Sequence, residues 1–460
     1  MNNARLTKIM NANIEQTGEY VLYWMQRSQR VHFNHALSYA IEVANAKGLP
    51  VLVAFILTPT FLNANARHYT FMLEGLQEVE AELKRMKVGF VIKKGRFDEE
   101  ITILASRAHT LVMDYGYLRN ERQWRRDVLD AIIARKLAID IALLESDVIV
   151  PVTISYPKVA YGAYVLRPQL HKRLLNFDDF DHLPMISHPW NIRLMSEVDI
   201  RNIDEVISLL NIDTSVQKSR YFKGGYNEAQ KWLREFISSK FPVYPQRSDP
   251  SLAIQSYLSM YLHFGQISPL EIYQAIKLLP DTEAKEQFIE QLLVRRELAF
   301  NYVFYNKDYD QFKSMTEPWA YESMEKHRDD ERHYLYSDQE IEEGKTHDVY
   351  FNAAMDEMRL TGFMANYMRM YWAKQIVTWK KTYEEAYDLI VRLNNQYFLD
   401  GRDPNSYVNI AWIFGKMDRP WPEKPIWGIL RSMNDAGLKR KFAIDDYVNQ
   451  IAKLRKENAS

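Results

Sequence analysis

The fold is decided by residues 49–57, LPVLVAFIL, an apolar run that follows the helix stop Lys47-Gly48. A short run that is apolar on both faces and bounded by turn residues is typical of a strand buried inside a parallel sheet. Similar runs predict strands at residues 20–24, 88–92, 110–113 and 139–144, and amphipathic stretches predict helices at 34–47 and 69–84. The alternation predicts an α/β domain with a doubly wound parallel sheet, whose β-to-α loops gather at the edge where such folds bind ligands.

Composition bounds the class of protein. The chain has 460 residues, 47% hydrophobic and 26% charged, which suits two or three folded domains with large cores. Lys and Arg number 59 against 60 Asp and Glu, so a polyanionic partner needs a local basic surface. There are 0 cysteines, which excludes disulfides and thiolate chemistry and favours a reducing compartment. Because no signal-like start and no membrane-length apolar run occurs, we expect a cytoplasmic protein without a membrane partner.

The periodicity divides the chain into three parts. We predict the α/β domain at residues 18–155, an interdomain linker at 156–223 where Pro-bearing and charged sequence replaces the pattern, and a second domain at 224–456. In the second domain, apolar residues recur at three and four spacing in residues 227–241, 269–279, 283–304, 364–379 and 384–394. This domain is therefore predicted to be all-helical.

A hydroxyl-rich stretch lies near the start of the helical part. Ser256 and Ser259 stand just before the motif Tyr261-Leu262-His263-Phe264-Gly265. Hydroxyls and free backbone N–H groups at a helix start can hold a phosphate, or the serines can simply cap the helix.

The predicted helix 364–379 contains two tryptophans and one arginine. Trp372 and Trp379 are seven residues apart, so both indoles lie near one helix face, as a core seam or as a functional stripe. Arg369 in this apolar helix needs an anionic partner or a ligand. Asn394, Asp400 and Asp403 follow, and the aspartates offer an acidic partner, although Asx residues also suit turns.

The C-terminal part combines aromatic and basic residues. From residue 401 to 460 there are 11 Lys or Arg and 7 Asp or Glu, a local excess of +4, beside Trp412, Trp421 and Trp427. Extruding and stacking a nucleobase requires such a combination, although a charge run is more often only a solvated face.

Five motifs carry a resemblance to a known family. They are RHYTFMLEGL at 67–76, YLHFGQIS at 261–268, RRELAFN at 295–301, RMYWAK at 369–374 and LDGRDPN at 399–405. In sequence and order they resemble the class II cyclobutane pyrimidine dimer photolyases of the photolyase and cryptochrome superfamily, and the similarity extends over residues 20–447.

The resemblance implies an antenna-type α/β domain and a helical domain that holds FAD, reduced in the active form. A second antenna chromophore such as a deazaflavin or folate is implied as an option. The residues that would bind FAD are Ser256, Leu258, Ser259, Arg369, Asn394, Asp400 and Asp403. Among them, Arg369 and Asp400 would form an ion pair beside the isoalloxazine, and Asn394 would face flavin N5.

The implied activity is light-dependent repair of cyclobutane pyrimidine dimers in double-stranded DNA, by electron transfer from excited reduced FAD to a flipped-out dimer. We expect a monomer with no catalytic metal. The implied catalytic residues, which include the lesion-pocket residues and an electron relay of two indoles, are Gln291, Met370, Asn394, Trp412, Trp372 and Trp379. The predicted DNA contacts are Arg295, Arg402, Arg419, Arg431, Lys439, Arg440 and Lys441.

Three positions depart from the family pattern. Gln291 stands where a Glu is expected, and an amide cannot supply a proton. Phe351 stands where a further relay Trp is expected, so the surface leg of the relay is broken or runs through Tyr350. The segment 29–34 lacks an acidic residue before Asn34, which leaves the antenna chromophore open.

Two other functions remain open at this stage. A cryptochrome-like flavin photoreceptor with weak or no repair activity suits Gln291 and Phe351, whereas the basic segment around Lys439 and the lack of a long extension after Tyr447 suit a repair enzyme. A helical nucleic-acid-binding protein with a relic flavin site is the third hypothesis, and it would stay colourless with excess FAD.

Overall fold

The computed structural model describes residues 3–10, 17–180 and 182–459, and it begins with an α/β domain. The strands are β1 (Leu6–Met10), β2 (Tyr20–Trp24), β3 (Val51–Leu57), β4 (Gly89–Lys94), β5 (Ala108–Asp114) and β6 (Asp140–Leu144). Their order across the sheet is β1-β6-β5-β2-β3-β4. The strands β2 to β6 pair in parallel and β1 is antiparallel to β6. The predicted fold class is confirmed, and the chain reverses its direction of winding between β2 and β5.

Helices cover both faces of the sheet. They are α1 (His35–Lys47), α2 (Ala66–Arg85), α3 (Phe97–Ala105) and α4 (Arg119–Ala134). Successive strand residues point to opposite faces. Val21 therefore packs in one core with Leu73 of α2, while its neighbour Leu22 packs in another with Leu104 of α3 and Ile132 of α4. Burial on both faces explains why the strands are apolar throughout.

The strand β1 was not predicted from the sequence. It is an edge strand in which Thr7 and Lys8 are exposed, so it lacks the apolar run that marks its neighbours. Its place is fixed by the preceding Arg5, which is 2% exposed and donates to the carbonyl oxygens of Val148 at 2.9 Å and Glu145 at 3.1 Å. A lysine on an edge strand also discourages pairing with another chain.

The segment 156–223 is more ordered than its composition suggests. It follows the short helix α5 (Val152–Ser155) and contains α6 (Ala163–Leu174) and α7 (Ile203–Leu210). Leu166 and Leu170 of α6 are fully buried, and Val206 of α7 packs into the core of the α/β domain. The segment therefore packs on both domains as it passes between them.

The remaining part of the chain is largely helical, as expected. Its helices are α8 (Tyr226–Glu235), α9 (Ser259–His263), α10 (Pro269–Lys277), α11 (Glu283–Ile289), α12 (Arg296–Tyr305), α13 (Pro318–Lys326), α14 (Asp338–Glu342), α15 (Val349–Thr361), α16 (Asn366–Trp379), α17 (Tyr383–Tyr397), α18 (Pro404–Ile413), α19 (Asp435–Lys441) and α20 (Ile444–Ala459). A π-helical turn, Glu290–Arg295, joins α11 to α12.

A buried charge network, which we call the domain seam, joins the two domains. Arg27 after β2 pairs with Glu121 at 2.7 Å, Asp147 at 3.1 Å and Asp403 at 3.3 Å, and His263 lies 3.3 Å from Asp403. Burial opposes the charged form of Asp403, but His263 and Arg27 hold the pKa of its carboxyl well below the usual range. The seam therefore consists of charges that compensate each other away from water.

The start of α2 makes a second contact between the domains. Arg67 donates to the carbonyl oxygens of Tyr397 at 2.9 Å and Met358 at 3.2 Å, and a ring nitrogen of His68 lies 3.0 Å from the carbonyl oxygen of Phe398. These bonds hold the C-terminal end of α17, the helix that carries Asn394. The α/β domain thus helps to position the site described below.

Candidate cofactor and nucleic-acid site

The helical domain contains a cavity of about 500 Å³, which we call the main cavity. Its walls come from the loop before α9, from the helix formed by α11 and α12, and from α16, α17 and α18. The predicted site residues that line it are Ser256, Leu258, Ser259, Gln291, Arg295, Arg369, Met370, Trp372, Asn394, Asp400, Asp403, Trp412 and Arg431. The fold therefore brings most of the predicted site together.

The serine loop forms one end of the main cavity. Tyr257 has a φ of 56°, a left-handed conformation that is uncommon for a side chain of this size. Its ring packs edge-on against Trp232 at 5.0 Å and Phe363 at 4.9 Å, which holds the strained turn in place. Because the loop turns sharply here, Ser256 and Ser259 on either side both line the cavity.

Two residues that line the main cavity form an ion pair. The guanidinium of Arg369 lies 2.9 Å from the carboxylate of Asp400, and its Nε donates to the carbonyl oxygen of Met364 at 2.9 Å. The same guanidinium is 4.1 Å from the ring centre of Phe398. The cation is therefore fixed on three sides, and the expected partner of Arg369 is the one observed.

Asn394 presents an amide to the same space. It is 6% exposed and its Nδ2 donates to the Oδ1 of Asn395 at 3.1 Å. That Asn395 oxygen also accepts from the backbone N–H of Arg402 at 3.0 Å, so the amide is held by a short chain of hydrogen bonds. A fixed amide can donate or accept toward a heterocycle in the cavity.

Asp403 takes part in both the cavity and the domain seam. One of its oxygens accepts from the backbone N–H of Asn405 at 2.9 Å and caps α18, while the other faces Arg27 and His263. Although it lines the main cavity, its observed partners are protein groups. Its clearest role in the structure is to hold α18 against the seam.

The wall of the main cavity also carries an indole. Trp412 on α18 is half-buried, and the guanidinium of Arg295 lies 5.6 Å from its ring centre. Arg295 also pairs with Glu290 at 3.0 Å, while Gln291 and Met370 are half-buried wall residues. Gln291 and Arg295 both belong to the π-helical turn, and such turns occur often at functional sites.

The two tryptophans of α16 have different surroundings. Trp372 lines the main cavity, and its Nε1 lies 2.9 Å from the sulfur of Met355. Trp379 lies outside the residues that line the cavity, and the ring centre of Phe351 is 4.8 Å from its own. Tyr350, the expected detour, donates its hydroxyl to Asp445 at 2.9 Å.

Two rings that the sequence analysis did not single out contact Trp379. The ring centre of Tyr336 is 5.3 Å away and that of His347 is 5.5 Å away. The hydroxyl of Tyr336 lies 2.7 Å from Nδ1 of His347. Because Tyr336 is far from Trp379 along the chain, only the fold reveals this contact.

The predicted DNA contacts fall into two groups. Arg419, Lys439, Arg440 and Lys441 are exposed, and Arg295 and Arg431 stand at the main cavity. Arg402 does not lie on this surface, because it is 1% exposed and donates from Nη1 to the carbonyl oxygen of Asn395. Its charge is enclosed between the domains, which a sequence pattern cannot show.

Glu297 does not pair with Arg295 or Arg296, the two arginines that precede it in the chain. Instead, Arg295 pairs with Glu290 and Arg296 donates to the carbonyl oxygen of Asp147 at 2.6 Å. Glu297 accepts from the backbone N–H of Ile149 at 2.5 Å and of Val150 at 3.1 Å. Its role is structural, but its partners are backbone groups of the α/β domain.

A second cavity of about 100 Å³, which we call the small cavity, lies at the carboxyl ends of β2 and β3. Trp24, Gln26 and Gln29 line it together with Arg402. Asn34 from the expected antenna segment instead caps α1 and donates to the carbonyl oxygen of Arg30 at 2.8 Å.

Two other kinds of feature are absent from the described residues. Within residues 3–10, 17–180 and 182–459, no group of three or more His, Asp or Glu side chains is arranged to hold a metal ion. In the same part of the chain, no helix has the length and apolar character needed to cross a membrane.

Comparisons with known proteins agree with the geometry. The family model for DNA photolyase matches residues 21–187. The chain is 40% identical to a deoxyribodipyrimidine photo-lyase of Methanothermobacter thermautotrophicus, over 98% of this chain and 99% of that protein. It is 36% identical to one of Potorous tridactylus, over 96% and 83%. In structure it is similar to an archaeal photolyase from Sulfolobus tokodaii solved with two FAD molecules, with a TM-score of 0.67, 17% identity and coverage of 93% and 89%. Full-length identity at this level establishes that the chain belongs to the deoxyribodipyrimidine photo-lyase family.

Proposed function

We propose that this chain repairs cyclobutane pyrimidine dimers in duplex DNA under light, with reduced FAD and the flipped-out dimer held together in the main cavity. The observation that carries the proposal is the set of residues that line that cavity. Its walls carry two serines, a fixed ion pair, a buried amide and a half-buried indole beside cations.

The residues of the main cavity fit FAD. The two serine hydroxyls suit its phosphates, and Asn394 with the Arg369–Asp400 pair suits a polar heterocycle such as the isoalloxazine. In addition, the buried Nη2 of Arg296 lines the cavity and lacks a hydrogen-bond partner in the described residues, so it is free for an anionic ligand atom.

When bound and reduced, FAD would supply the light-excited electron that splits the cyclobutane ring and would take that electron back afterwards, so that repair is redox-neutral overall. The chain's own residues bind and orient the cofactor and the dimer. Trp412 offers a stacking face for an extruded base, and Met370 supplies an apolar wall that excludes water. Gln291 can donate and accept hydrogen bonds toward the bases but cannot transfer a proton.

Binding of the duplex is assigned to cations around the main cavity. Arg295 and Arg431 stand at the cavity itself, and Arg419 with the exposed Lys439-Arg440-Lys441 segment adds positive charge. Phosphate contacts of this kind position DNA without reading its sequence, which suits an enzyme that must act wherever a dimer occurs.

We assign the second chromophore to the small cavity. Nε1 of Trp24, both side-chain amide atoms of Gln26 and Oε1 of Gln29 are buried there without a hydrogen-bond partner in the described residues. Unpaired buried polar atoms are costly, and the ring carbonyl and N–H groups of a deazaflavin or a folate would satisfy them. Purified protein incubated with each chromophore should bind one of them, and Gln29→Leu should weaken that binding. Failure of both chromophores to bind would remove this assignment.

The decisive experiment is blue-light repair of a synthetic duplex that carries one cyclobutane thymine dimer. Chemically reduced holoenzyme is used so that the relay through Phe351 does not matter, with a dark control and a Gln291→Glu variant alongside. We expect light-dependent recovery of intact thymines with the native protein. Lack of turnover despite bound reduced FAD and bound dimer would contradict the proposal and favour a photoreceptor, and rescue by Gln291→Glu would identify the amide as the cause.

A further inference from the structure

Lys374 on α16 is a buried cation in the wall of the main cavity, which also contains Trp412. It is 2% exposed and lines the cavity two residues after Trp372. Its Nζ donates to the carbonyl oxygen of Arg431 at 2.5 Å and to that of Ile413 at 3.3 Å. The ammonium also lies 4.7 Å from the ring centre of Trp427. A buried ammonium that touches only neutral groups needs a reason, because burial of a charge is costly.

The two carbonyl groups belong to residues at or next to predicted site residues. Ile413 directly follows Trp412 and is the last residue of α18. Arg431 lines the main cavity, and its guanidinium lies 5.1 Å from the ring centre of Trp421. One ammonium therefore fixes the main chain beside the stacking indole and at a predicted DNA contact.

The loop 414–434 is held by several contacts, and Lys374 provides one of them. It connects α18 to α19, and within it Lys424 bridges Gly428 while the backbone N–H of Trp421 donates to the carbonyl oxygen of Ile429 at 2.8 Å. The next residue of α16 adds a second tie, because Nε2 of Gln375 donates to the carbonyl oxygen of Met433 at 3.0 Å. The loop is thus held to the helix that also carries Arg369 and Trp372.

We infer that Lys374 is a positioning residue for lesion recognition, which sets the backbone of Trp412 and Arg431 against α16 so that an extruded dimer meets a preformed wall. This inference rests on the proposed repair function. It concerns discrimination of damaged from undamaged DNA, since most of the cations assigned to duplex binding, Arg419 and the segment 439–441, are not held by Lys374.

Because the anchor depends on the charge of Lys374, we expect the affinity for the dimer-containing duplex to depend on pH. Burial lowers the pKa of Lys374 to about 7, with Asp418 opposing that shift and Arg431 adding to it. Asp418, Arg431 and the ring of Trp427 are the charged and aromatic groups that face the ammonium. A charged donor makes stronger hydrogen bonds to carbonyls than a neutral amine, so the anchor weakens as pH rises through neutrality.

The test compares dissociation constants of the FAD holoenzyme for a dimer-containing duplex and for the same duplex undamaged, from pH 6 to pH 9 at constant ionic strength. For Lys374→Met we expect dimer binding weakened roughly tenfold at pH 6, with undamaged binding and the flavin absorption spectrum unchanged. Lys374→Arg should keep dimer binding and make it flat with pH, because a guanidinium stays charged. The matched control is Lys285→Met, a half-buried lysine outside the main cavity that also donates to two carbonyl oxygens, those of Lys277 at 2.8 Å and Leu279 at 2.7 Å.

Each outcome decides the inference. If Lys374→Met keeps the native preference for the dimer, the lysine is only structural and the inference fails. If that variant does not fold, the Lys374→Arg profile decides instead, and a slope equal to the native one overturns the inference. Native protein without any preference for the dimer would overturn the proposed function first, and this inference with it.

Discussion

The main cavity and the domain seam use polar side chains in opposite ways. In the seam, Arg27 meets three carboxylates within 3.3 Å, so the charges satisfy one another. In the main cavity, Ser256, Ser259 and Asn394 line an open space, and the buried Nη2 of Arg296 has no hydrogen-bond partner in the described residues. The difference teaches that charges which pair with one another hold the two domains together, whereas polar groups around an open cavity are available to a ligand.

The largest effect on stability is expected from a substitution that breaks the domain seam. Arg27→Met leaves Glu121, Asp147 and Asp403 buried without their shared cation, and removing one partner of a buried pair typically costs about 3–5 kcal/mol. Urea unfolding of the holoenzyme should show a loss of stability in this range. The exposed Arg85→Met, which breaks the surface pair with Glu82, is the control and should change little. A loss below about 1 kcal/mol would mean that the seam charges are not coupled.

The next effect is confined to the main cavity. Trp412→Ala should weaken binding of a dimer-containing duplex by about 1–3 kcal/mol, the usual value of stacking one base, while the unfolding midpoint stays near the native one. Fluorescence anisotropy with damaged and undamaged duplexes measures this difference. Trp412→Phe keeps an aromatic face and should recover most of the affinity. Equal losses for both duplexes would show that the indole does not recognise the lesion.

The third prediction is a pH dependence of stability that arises from Glu297, which binds α12 to the α/β domain. Burial raises the pKa of Glu297 to about 8, although the backbone N–H groups of Val150 and Ile149 favour its charged form. A carboxyl with a raised folded-state pKa contributes stability that is complete below its ordinary pKa near 4.5 and is lost as pH rises through about 8. The decline is at most about 1.4 kcal/mol per pH unit.

The measurement is the free energy of unfolding at several pH values between 5 and 9. Glu297→Gln, which keeps an acceptor oxygen but does not titrate, should flatten the decline. Parallel curves for the native protein and the variant would assign the pH dependence to other groups.

The smallest effect on repair concerns the path between the main cavity and the surface. Phe351→Trp places an indole next to Trp379 and should speed light-driven reduction of bound oxidised FAD, which transient absorption records. Repair by pre-reduced enzyme should not change, because reduction has already occurred. Phe351→Leu keeps an apolar side chain without an aromatic ring and serves as the control. An unchanged reduction rate in Phe351→Trp would show that reduction does not pass through this position.

The sequence predicted local features well and long-range partners less well. Strands β2 to β6 and the long helices follow from apolar periodicity, which is a local signal. The strand β1 was not predicted because a short, largely exposed edge strand lacks the apolar pattern of the buried strands. Family motifs brought Arg369 and Asp400 together, but they also suggested a surface role for Arg402. Whether a charge is buried depends on elements far apart in the chain, here Asn395 and the α/β domain around the small cavity.

The π-helical turn Glu290–Arg295 restricts insertions and deletions in this segment. Each α-helical residue turns the helix by about 100°, so the extra residue of a π turn sets the rotation of everything that follows it. Deleting one residue there would restore ordinary winding and swing α12 around its axis. Glu297 would then leave the N–H groups of Ile149 and Val150. Spacing in this segment is therefore as constrained as side-chain identity, and natural insertions or deletions should avoid it.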